Sequence, residues 1–208
     1  MTINRDQITA VILAGGKGRR MGGQDKGLLE LKGRPLIKHV LSAIAPQVGT
    51  VIINANRNLN RYAGFGYPVV RDDLQGFQGP LAGFAAAMAA ATTPYILTMP
   101  CDGPLLPVGY ARTMADALES SGAELAVAHS GERLQPVHAL LCRSLEPSLL
   151  AYLESGDRKI DLWYRDHRMA IADFSHCPEA FRNINTPDER EHLMRESERP
   201  RTDRKIQV

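Results

Sequence analysis

Short, continuously apolar runs recur along the first 130 residues of this 208-residue chain, and longer amphipathic runs separate them. A run that does not alternate with polar residues is typical of a strand covered on both faces, as in a parallel sheet. Strands that alternate with helices indicate βαβ units. We therefore expect an α/β fold, a single domain with a mostly parallel central sheet and helices on both faces. The predicted strands are Ile8 to Leu13, Thr50 to Asn54, Tyr67 to Val70, Tyr95 to Met99 and Glu124 to His129.

The amphipathic runs predict the helices, and the pattern loosens after residue 130. A candidate strand covers 134–142, and a late strand is predicted over 169–174. Asp157 is the candidate N-cap of the helix that follows it. Residues 188–208 carry six basic and six acidic groups with almost no apolar period, so we expect a domain over 1–195 and a charged, disordered tail over 196–208. The predicted helices are Pro35 to Pro46, Leu81 to Ala91, Val108 to Ser121, Glu146 to Glu154, Lys159 to His167 and Pro187 to about Arg195.

Composition excludes several classes of protein. Lys and Arg number 25 against 23 Asp and Glu, and a net charge of +2 gives no support for a nucleic-acid or membrane binder. The longest nearly apolar run, 81–91, falls short of the ~20 residues that span a bilayer, and no targeting segment is visible. The three cysteines are widely spaced, odd in number and form no CxxC pair, which favours reduced thiols. We expect a cytoplasmic protein.

A glycine-rich basic loop directly follows the first predicted strand. Six glycines lie between residues 15 and 27, together with four basic residues and one acid. Glycine allows backbone N–H groups to approach phosphate oxygens closely, and Arg and Lys neutralise phosphate charge. Because the loop follows a buried strand, phosphate binding is favoured over a merely flexible surface loop.

Two common phosphate motifs do not fit this loop. A Walker A motif needs GxxxxGK followed by Ser or Thr, and no such string occurs. The Rossmann fingerprint GxGxxG begins correctly at Gly16, but Met21 stands where its third glycine belongs. The loop is therefore predicted to be neither a P-loop nor a dinucleotide-binding turn.

Further candidate site residues come at or just after the ends of predicted strands. Open α/β sheets bind ligands beyond the carboxyl ends of their strands, so these residues are expected to converge on one rim. Taken singly, an Asp or Asn after a strand is usually a turn former or a helix cap. The set beside a phosphate loop favours function. Its members are Gly15, Asn54, Asp72 and Asp102.

The chemistry of these side chains suggests a division of roles. Asp102 is the candidate ligand of Mg²⁺, which prefers oxygen ligands and usually takes one or two carboxylates together with substrate phosphates. Asp72 and Asn54 suit base and ribose recognition, since a carboxylate can accept two neighbouring N–H donors of a base together. Asn183 and Asn185 flank Ile184, and alternation along an extended segment would point both amides the same way.

The loop, read as a whole, carries a resemblance. LAGGKGRRMGGQDKGLLELKGRPLI resembles the signature of nucleotidyltransferases and, more narrowly, of the molybdenum cofactor guanylyltransferase family. The resemblance continues through Asp72-Asp73, GPLAG at 79–83, PCD at 100–102 and NINTP at 183–187, and so covers about 8–190. It implies a Rossmann-like nucleotidyltransferase domain.

The resemblance also implies an activity. The expected reaction is transfer of GMP from GTP to the terminal phosphate of Mo-molybdopterin with Mg²⁺ as cofactor, giving molybdopterin guanine dinucleotide and pyrophosphate. Molybdenum-cofactor insertion proteins or apoenzymes are expected as further partners. The implied catalytic residues are Arg20, Lys26 and Asp102, and the implied binding residues are Leu13, Ala14, Gly15, Gly16, Lys26, Asn54, Asp72, Gly79, Asp102, Asn183 and Asn185.

Three alternatives stay open at this stage. The same chemistry could use CTP or a sugar phosphate, and the chain could be a non-catalytic module that carries the cofactor to an apoenzyme. Asn183 and Asn185 could face the pterin, or form a turn and cap before the helix at Pro187. Close packing between helix and sheet explains Gly83 as well as close approach of a ligand does.

Overall fold

A computed structural model describes residues 2–16, 24–72, 79–184 and 189 of the chain. Within these residues a seven-stranded sheet and a two-stranded hairpin form, with helices packed around the larger sheet. The strands are Ile8–Leu13 (β1), Glu30–Leu31 (β2), Arg34–Pro35 (β3), Thr50–Asn54 (β4), Val69–Val70 (β5), Tyr95–Pro100 (β6), Leu125–His129 (β7), Leu134–Cys142 (β8) and Met169–Asp173 (β9).

The order of strands in the large sheet is β5-β4-β1-β6-β8-β7-β9. Strand β8 runs antiparallel to both of its neighbours, and every other pairing in this sheet is parallel. The prediction of a mostly parallel sheet is confirmed. The antiparallel direction of β8 was not predicted, because an apolar run reads the same in either direction.

Helices cover both faces of the sheet. Side chains of successive strand residues point to opposite faces, so Ala10 and Ile12 of β1 belong to one core cluster while Val11 belongs to the other. The α-helices are Leu36–Ile44 (α1), Leu59–Ala63 (α2), Pro80–Ala90 (α3), Tyr110–Ser121 (α4), Glu146–Glu154 (α5) and Ile160–Arg165 (α6). Helices α1 and α4 close the first cluster, and α3, α5 and α6 close the second.

The predicted elements within the described residues all form, with ends shifted by a residue or two. The prediction of Asp157 as an N-cap is wrong: Lys159, in extended conformation, is the residue before α6. The short helix α2 and the β2–β3 hairpin were not predicted. The predicted helix from Pro187 and the tail over 196–208 lie outside the described residues apart from 189. Among the described residues, no helix is long and apolar enough to cross a bilayer.

An aromatic cluster surrounds His138 of β8. The His138 side chain is buried, its Nδ1 lies 3.0 Å from the hydroxyl oxygen of Tyr110, and its ring centroid lies 4.9 Å from that of Phe181. Burial disfavours the charged imidazolium and lowers the pKa of His138 to about 3. The folded protein therefore keeps this imidazole neutral at pH values where an exposed histidine is protonated.

We expect the protein to lose stability as the pH falls below about 6.5, the ordinary pKa of histidine in an unfolded chain. Between that value and the lowered pKa of His138, the unfolded chain binds a proton that the folded protein does not. The free energy of unfolding should therefore fall by about 1.4 kcal/mol per pH unit from this group. Urea unfolding of the wild type and His138→Leu at pH 7, 6 and 5 measures the difference. Parallel pH dependences of the two proteins would contradict the assignment.

Candidate active site

The carboxyl ends of four neighbouring strands lie level with one another. Leu13 of β1 pairs with Asn54 of β4 on one side and with Pro100 of β6 on the other, and Asn54 pairs with Val70 of β5. Strand neighbours are separated by only ~4.8 Å, so residues just beyond this line must converge. Those residues are Gly15, Asp72 and Asp102. The predicted meeting of these positions at one rim is therefore present in the fold.

A carboxylate held by two amides forms one half of the rim. The Asn54 amide donates to Asp72 Oδ1 at 2.8 Å, and the Asn56 amide donates to Oδ2 at 2.7 Å. The backbone N–H of Asp72 donates in turn to Asn56 Oδ1 at 2.9 Å. Among the described residues, one amide donates to each oxygen of Asp72. A carboxylate oxygen has two acceptor positions, so each oxygen can accept a further hydrogen bond from a ligand. The two amides fix the plane in which that ligand must approach.

Glycine at two positions makes room for this arrangement. A Cβ on Gly83 of α3 would lie 2.6 Å from Asn54 Oδ1 and 2.7 Å from Leu13 Cδ2. A Cβ on Gly15 would lie 2.9 Å from Asn56 Nδ2. All three distances are too short for a real Cβ contact, so these glycines let α3 and the chain just after β1 pack against the two asparagines. For Gly83, the packing alternative is thereby supported.

An ion pair forms the other half of the rim. Lys26 Nζ lies 3.0 Å from Asp102 Oδ2, with the lysine side chain 28% exposed and the aspartate side chain 9% exposed. Lys26 begins a single 3₁₀ turn, Lys26–Leu28, and Asp102 lies two residues beyond the end of β6. The site thus combines a partly exposed cation and a nearly buried carboxylate in one ion pair.

The C-terminal Asn-Ile segment is attached to the Asp102 loop. The backbone N–H of Ile184 donates to the carbonyl oxygen of Asp102 at 2.9 Å. Ile184 is buried in a small cluster with Leu31 and Leu36, next to the hairpin. Asn183 is exposed, and its Oδ1 would lie 3.4 Å from a Cβ on Gly103. A buried isoleucine therefore presents an exposed asparagine beside Asp102.

The remaining predicted site residues lie at the end of β1, just after it and before α3, apart from two outside the described residues. The backbone N–H of Ala14 donates to the carbonyl oxygen of Asn54, and the carbonyl oxygen of Leu13 accepts from the N–H of Cys101. Gly16 is exposed, and nothing lies within 4 Å of a Cβ placed on it. Gly79 precedes α3 with φ of 75°, a backbone conformation that favours glycine. Arg20 and Asn185 lie outside the described residues.

The described residues contain no cluster of three or more His, Cys, Asp or Glu side chains that could hold a metal by themselves. Asp102 offers a nearly buried carboxylate at this rim. This donor set suits Mg²⁺, which keeps several waters and commonly takes one or two protein carboxylates together with phosphate oxygens of the substrate. A metal at this site would thus arrive with a phosphate ligand.

Sequence reasoning missed two groups at this site. Asn56 was not singled out, although it lies two residues after Asn54, the spacing that returns to the same side of an extended chain. Asp25 stood in the glycine loop without a role. Its carboxylate is 6% exposed and is contacted by residues that follow β4.

Cys101, predicted to be a packing residue, is buried, and burial raises the pKa of its thiol well above the usual value.

Comparisons with known proteins agree on one family. Residues 10–170 match the family model described as MobA-like NTP transferase domain. The protein named molybdenum cofactor guanylyltransferase from Shewanella sediminis (strain HAW-EB3) is 53% identical over 187 residues, which cover 90% of this chain and 95% of that protein. The protein of the same name from Shewanella loihica (strain ATCC BAA-1088 / PV-4) is 52% identical over 187 residues, with the same coverage.

A solved structure shares the fold. Molybdopterin-guanine dinucleotide biosynthesis protein A from Archaeoglobus fulgidus superposes with a TM-score of 0.76 at 22% identity, over 91% of this chain and 98% of that one. At this identity the similarity establishes the arrangement of strands and helices. It supports the predicted Rossmann-like nucleotidyltransferase fold.

Proposed function

Because the chain belongs to the molybdenum cofactor guanylyltransferases, within the family of MobA-like NTP transferase domains, we propose that its rim transfers GMP from GTP to Mo-molybdopterin. The chain is a nucleotidyltransferase of molybdenum cofactor biosynthesis. An oxygen of the terminal phosphate of Mo-molybdopterin forms a bond to the α-phosphorus of GTP, and the bond between that phosphorus and the bridging oxygen of the β-phosphate breaks. Pyrophosphate leaves with the bridging oxygen. The observation that carries the proposal is the Lys26–Asp102 pair beside the glycine loop.

The acceptor determines what the protein must supply. A phosphate is already anionic near neutral pH, so the reaction needs no strong general base. The main obstacle is repulsion between two anions, which a site of low dielectric makes worse unless cations are placed between them. Lys26 supplies a point charge, and we assign Arg20, in the same loop, to the leaving pyrophosphate. Positioning and charge neutralisation then account for catalysis.

Asp102 is the proposed anchor of a divalent cation, which we take to be Mg²⁺. When bound, Mg²⁺ supplies positive charge to the donor and acceptor phosphates. Lys26 Nζ donates to Asp102 Oδ2 at 3.0 Å. We propose that this pair holds the lysine and the carboxylate in the positions that the triphosphate requires.

The Asp72 carboxylate is the proposed reader of the guanine base. Both of its oxygens are already oriented by the Asn54 and Asn56 amides, and one free acceptor position on each suits the adjacent N1–H and N2–H donors of guanine. Cytosine has no such pair of donors. Asn54 is 2% exposed, and its amide group donates to Asp72. We therefore propose that Asn54 positions this carboxylate. Gly15, Gly16 and Gly79 are proposed to let the chain approach the nucleotide.

The wider setting belongs to the same proposal. We propose that residues 1–195 form the catalytic domain, that 196–208 are a separate charged tail, and that the enzyme works in the cytoplasm, where three cysteines without a CxxC pair would stay reduced. Insertion proteins or apoenzymes would receive the product. A protein that only carries the cofactor would have no need for the Lys26–Asp102 pair. The presence of this pair therefore favours an enzyme over a carrier.

We expect Asp72→Ala to reduce the preference for GTP over CTP by about 10- to 100-fold, the range for losing hydrogen bonds to a charged group. Titration calorimetry with GTP, CTP, ATP and UTP, each with and without Mg²⁺, measures the preference. Asp161→Ala, which removes an exposed carboxylate on α6, is the matched control. Equal affinity of the wild type for all four nucleotides would refute guanine reading and revive the CTP alternative.

We expect Asn183→Ala and Asn185→Ala to weaken use of Mo-molybdopterin by about 10-fold and to leave the affinity for GTP nearly unchanged. The reason is the place of Asn183, exposed beside Gly103 and far along the chain from the residues that hold Asp72. Steady-state kinetics with each substrate varied in turn separates the two effects. If GTP affinity and thermal stability fall together instead, the asparagines form a structural turn.

A further inference from the structure

A third carboxylate, Asp25, lies beside the site, and three side chains of the described residues bind it. The hydroxyl of Tyr62 donates to Oδ1, the amide of Asn58 donates to Oδ2 at 2.9 Å, and the Arg57 guanidinium lies 3.5 Å from Oδ2. The Asp25 side chain is only 6% exposed. A charge removed from water is costly unless its partners are in place, and this carboxylate has a neutral donor on each oxygen as well as a cation.

The three partners of Asp25 come from one segment, the loop after β4 and the helix α2. Asn56, whose side chain donates to Asp72, directly precedes Arg57 in this segment. The contact therefore ties the chain entering Lys26 to the same loop that orients the proposed base-reading carboxylate. Tyr62 is fully buried, and burial raises the pKa of its hydroxyl far above the ordinary value, so the hydroxyl remains a donor.

The backbone carries this anchorage from Asp25 to Lys26. The carbonyl oxygen of Asp25 accepts from the N–H of Leu28 at 3.0 Å, which closes the turn that contains Lys26. Gly27 fills the narrow space behind that turn: a Cβ there would lie 2.7 Å from the Tyr62 hydroxyl oxygen and 3.1 Å from Cys101 Sγ. The turn is thus seated between Tyr62 and the residue that precedes Asp102.

On the basis of the proposed function, we propose that Asp25 is a positioning residue for nucleotidyl transfer, which holds the Lys26 turn against Tyr62, Asn58 and Arg57 so that Lys26 Nζ meets Asp102 and the incoming phosphates. Asp25 itself touches neither phosphate. The loss of its contacts should allow the turn to shift, and a displaced lysine neutralises less charge.

The test removes single polar groups. Tyr62→Phe deletes the hydroxyl and keeps the buried ring, and Asp25→Asn keeps the shape and removes the charge. Each should lower kcat/KM for GTP by about 10- to 100-fold, the usual range for groups that orient a functional side chain. Tyr95→Phe, at the opposite end of β6 from Asp102, should retain wild-type kinetics. Wild-type kinetics in both Tyr62→Phe and Asp25→Asn would overturn the proposal.

A double-mutant cycle separates positioning from general stability. If Asp25 and Tyr62 act through Lys26, Tyr62→Phe should cost less than about 3-fold once Lys26 is already alanine. A merely structural role would lower the rate by the same factor in both backgrounds, and that result would overturn the proposal.

A binding measurement keeps this inference distinct from the proposed function. Inorganic pyrophosphate probes the phosphate side and guanosine probes the nucleoside side. Tyr62→Phe should weaken pyrophosphate binding about 10-fold or more and leave guanosine binding unchanged. If the wild type transfers no GMP, the proposed function fails, and the pyrophosphate result still decides the role of Asp25. Unchanged pyrophosphate affinity in Tyr62→Phe would overturn that role.

Discussion

Asp102→Ala is expected to lower GMP transfer by about 10²–10³-fold, the usual cost of removing one electrostatic group from a preorganised site. The carboxylate is nearly buried, it pairs with Lys26 at 3.0 Å, and it is the proposed anchor of Mg²⁺. Without it, the cation loses its ligand from the protein, and Lys26 loses the partner that orients it. The donor and acceptor phosphates would then approach each other with less positive charge between them.

The Asp102→Ala variant should nevertheless remain folded. The contact that attaches the Asn183-Ile184 segment uses the backbone carbonyl of Asp102, which the substitution retains. Circular dichroism and thermal unfolding check this. Pyrophosphate release from GTP in the presence of Mo-molybdopterin, followed across a Mg²⁺ titration, measures the rate.

Asp116→Ala is the matched control for that experiment. Asp116 is also paired with a cation, Arg112, but lies exposed on α4. Its removal should leave the rate within about 2-fold of the wild type, as is usual for exposed ion pairs. If folded Asp102→Ala releases pyrophosphate at the wild-type rate and with the same Mg²⁺ dependence, Asp102 has no catalytic role.

The strands and the rim were predictable because their signals are local. A parallel strand buried on both faces needs a continuous apolar run, and such runs mark β1, β4 and β6 in the sequence. Once those strands are adjacent and parallel, their carboxyl ends must lie at one edge. The convergence of Asn54 and Asp102 then follows from chain geometry, before any side-chain contact is known.

Side-chain partnerships were not predictable in the same way. Asp25 and Tyr62 are 37 positions apart in the chain, and their hydrogen bond exists only because Tyr62 of α2 packs against the turn Lys26–Leu28. No periodicity records such a contact. Asn56 was easier to predict as a site residue, because it lies two residues after Asn54. Its role nevertheless depends on its contacts with Asp72, which follows a different strand, β5.

The direction of β8 has a related explanation. The apolar residues of β8 would be buried equally well in a parallel or an antiparallel strand, so the apolar pattern does not determine the strand direction. The hairpin connection from β7 does select it: only four residues join the two strands, too few for the crossover that a parallel pair requires. The length of the connection therefore indicates the direction of β8, which the apolar pattern does not.

Lys26→Ala is expected to lower turnover by about 10²–10³-fold and to weaken GTP binding more than guanosine binding. Lys26 Nζ pairs with the proposed metal carboxylate, and the lysine side chain is partly exposed to the solvent from which a triphosphate arrives. A nucleoside has no charge for it to neutralise. The difference in affinity between GTP and guanosine therefore isolates the contribution of this ammonium group.

Two further substitutions sharpen the test of Lys26. Lys38→Ala, on the exposed side of α1, removes the same charge away from the rim and should leave both affinities unchanged. Lys26→Arg keeps the charge but spreads it over a planar fork, which does not replace a compact ammonium group, so it should recover binding of GTP better than it recovers turnover. This ordering follows because binding needs only attraction, whereas transfer needs the charge at one place between Asp102 and the phosphates. Equal losses of GTP and guanosine affinity in Lys26→Ala would mean that the lysine supports the fold of the loop and does not contact phosphate.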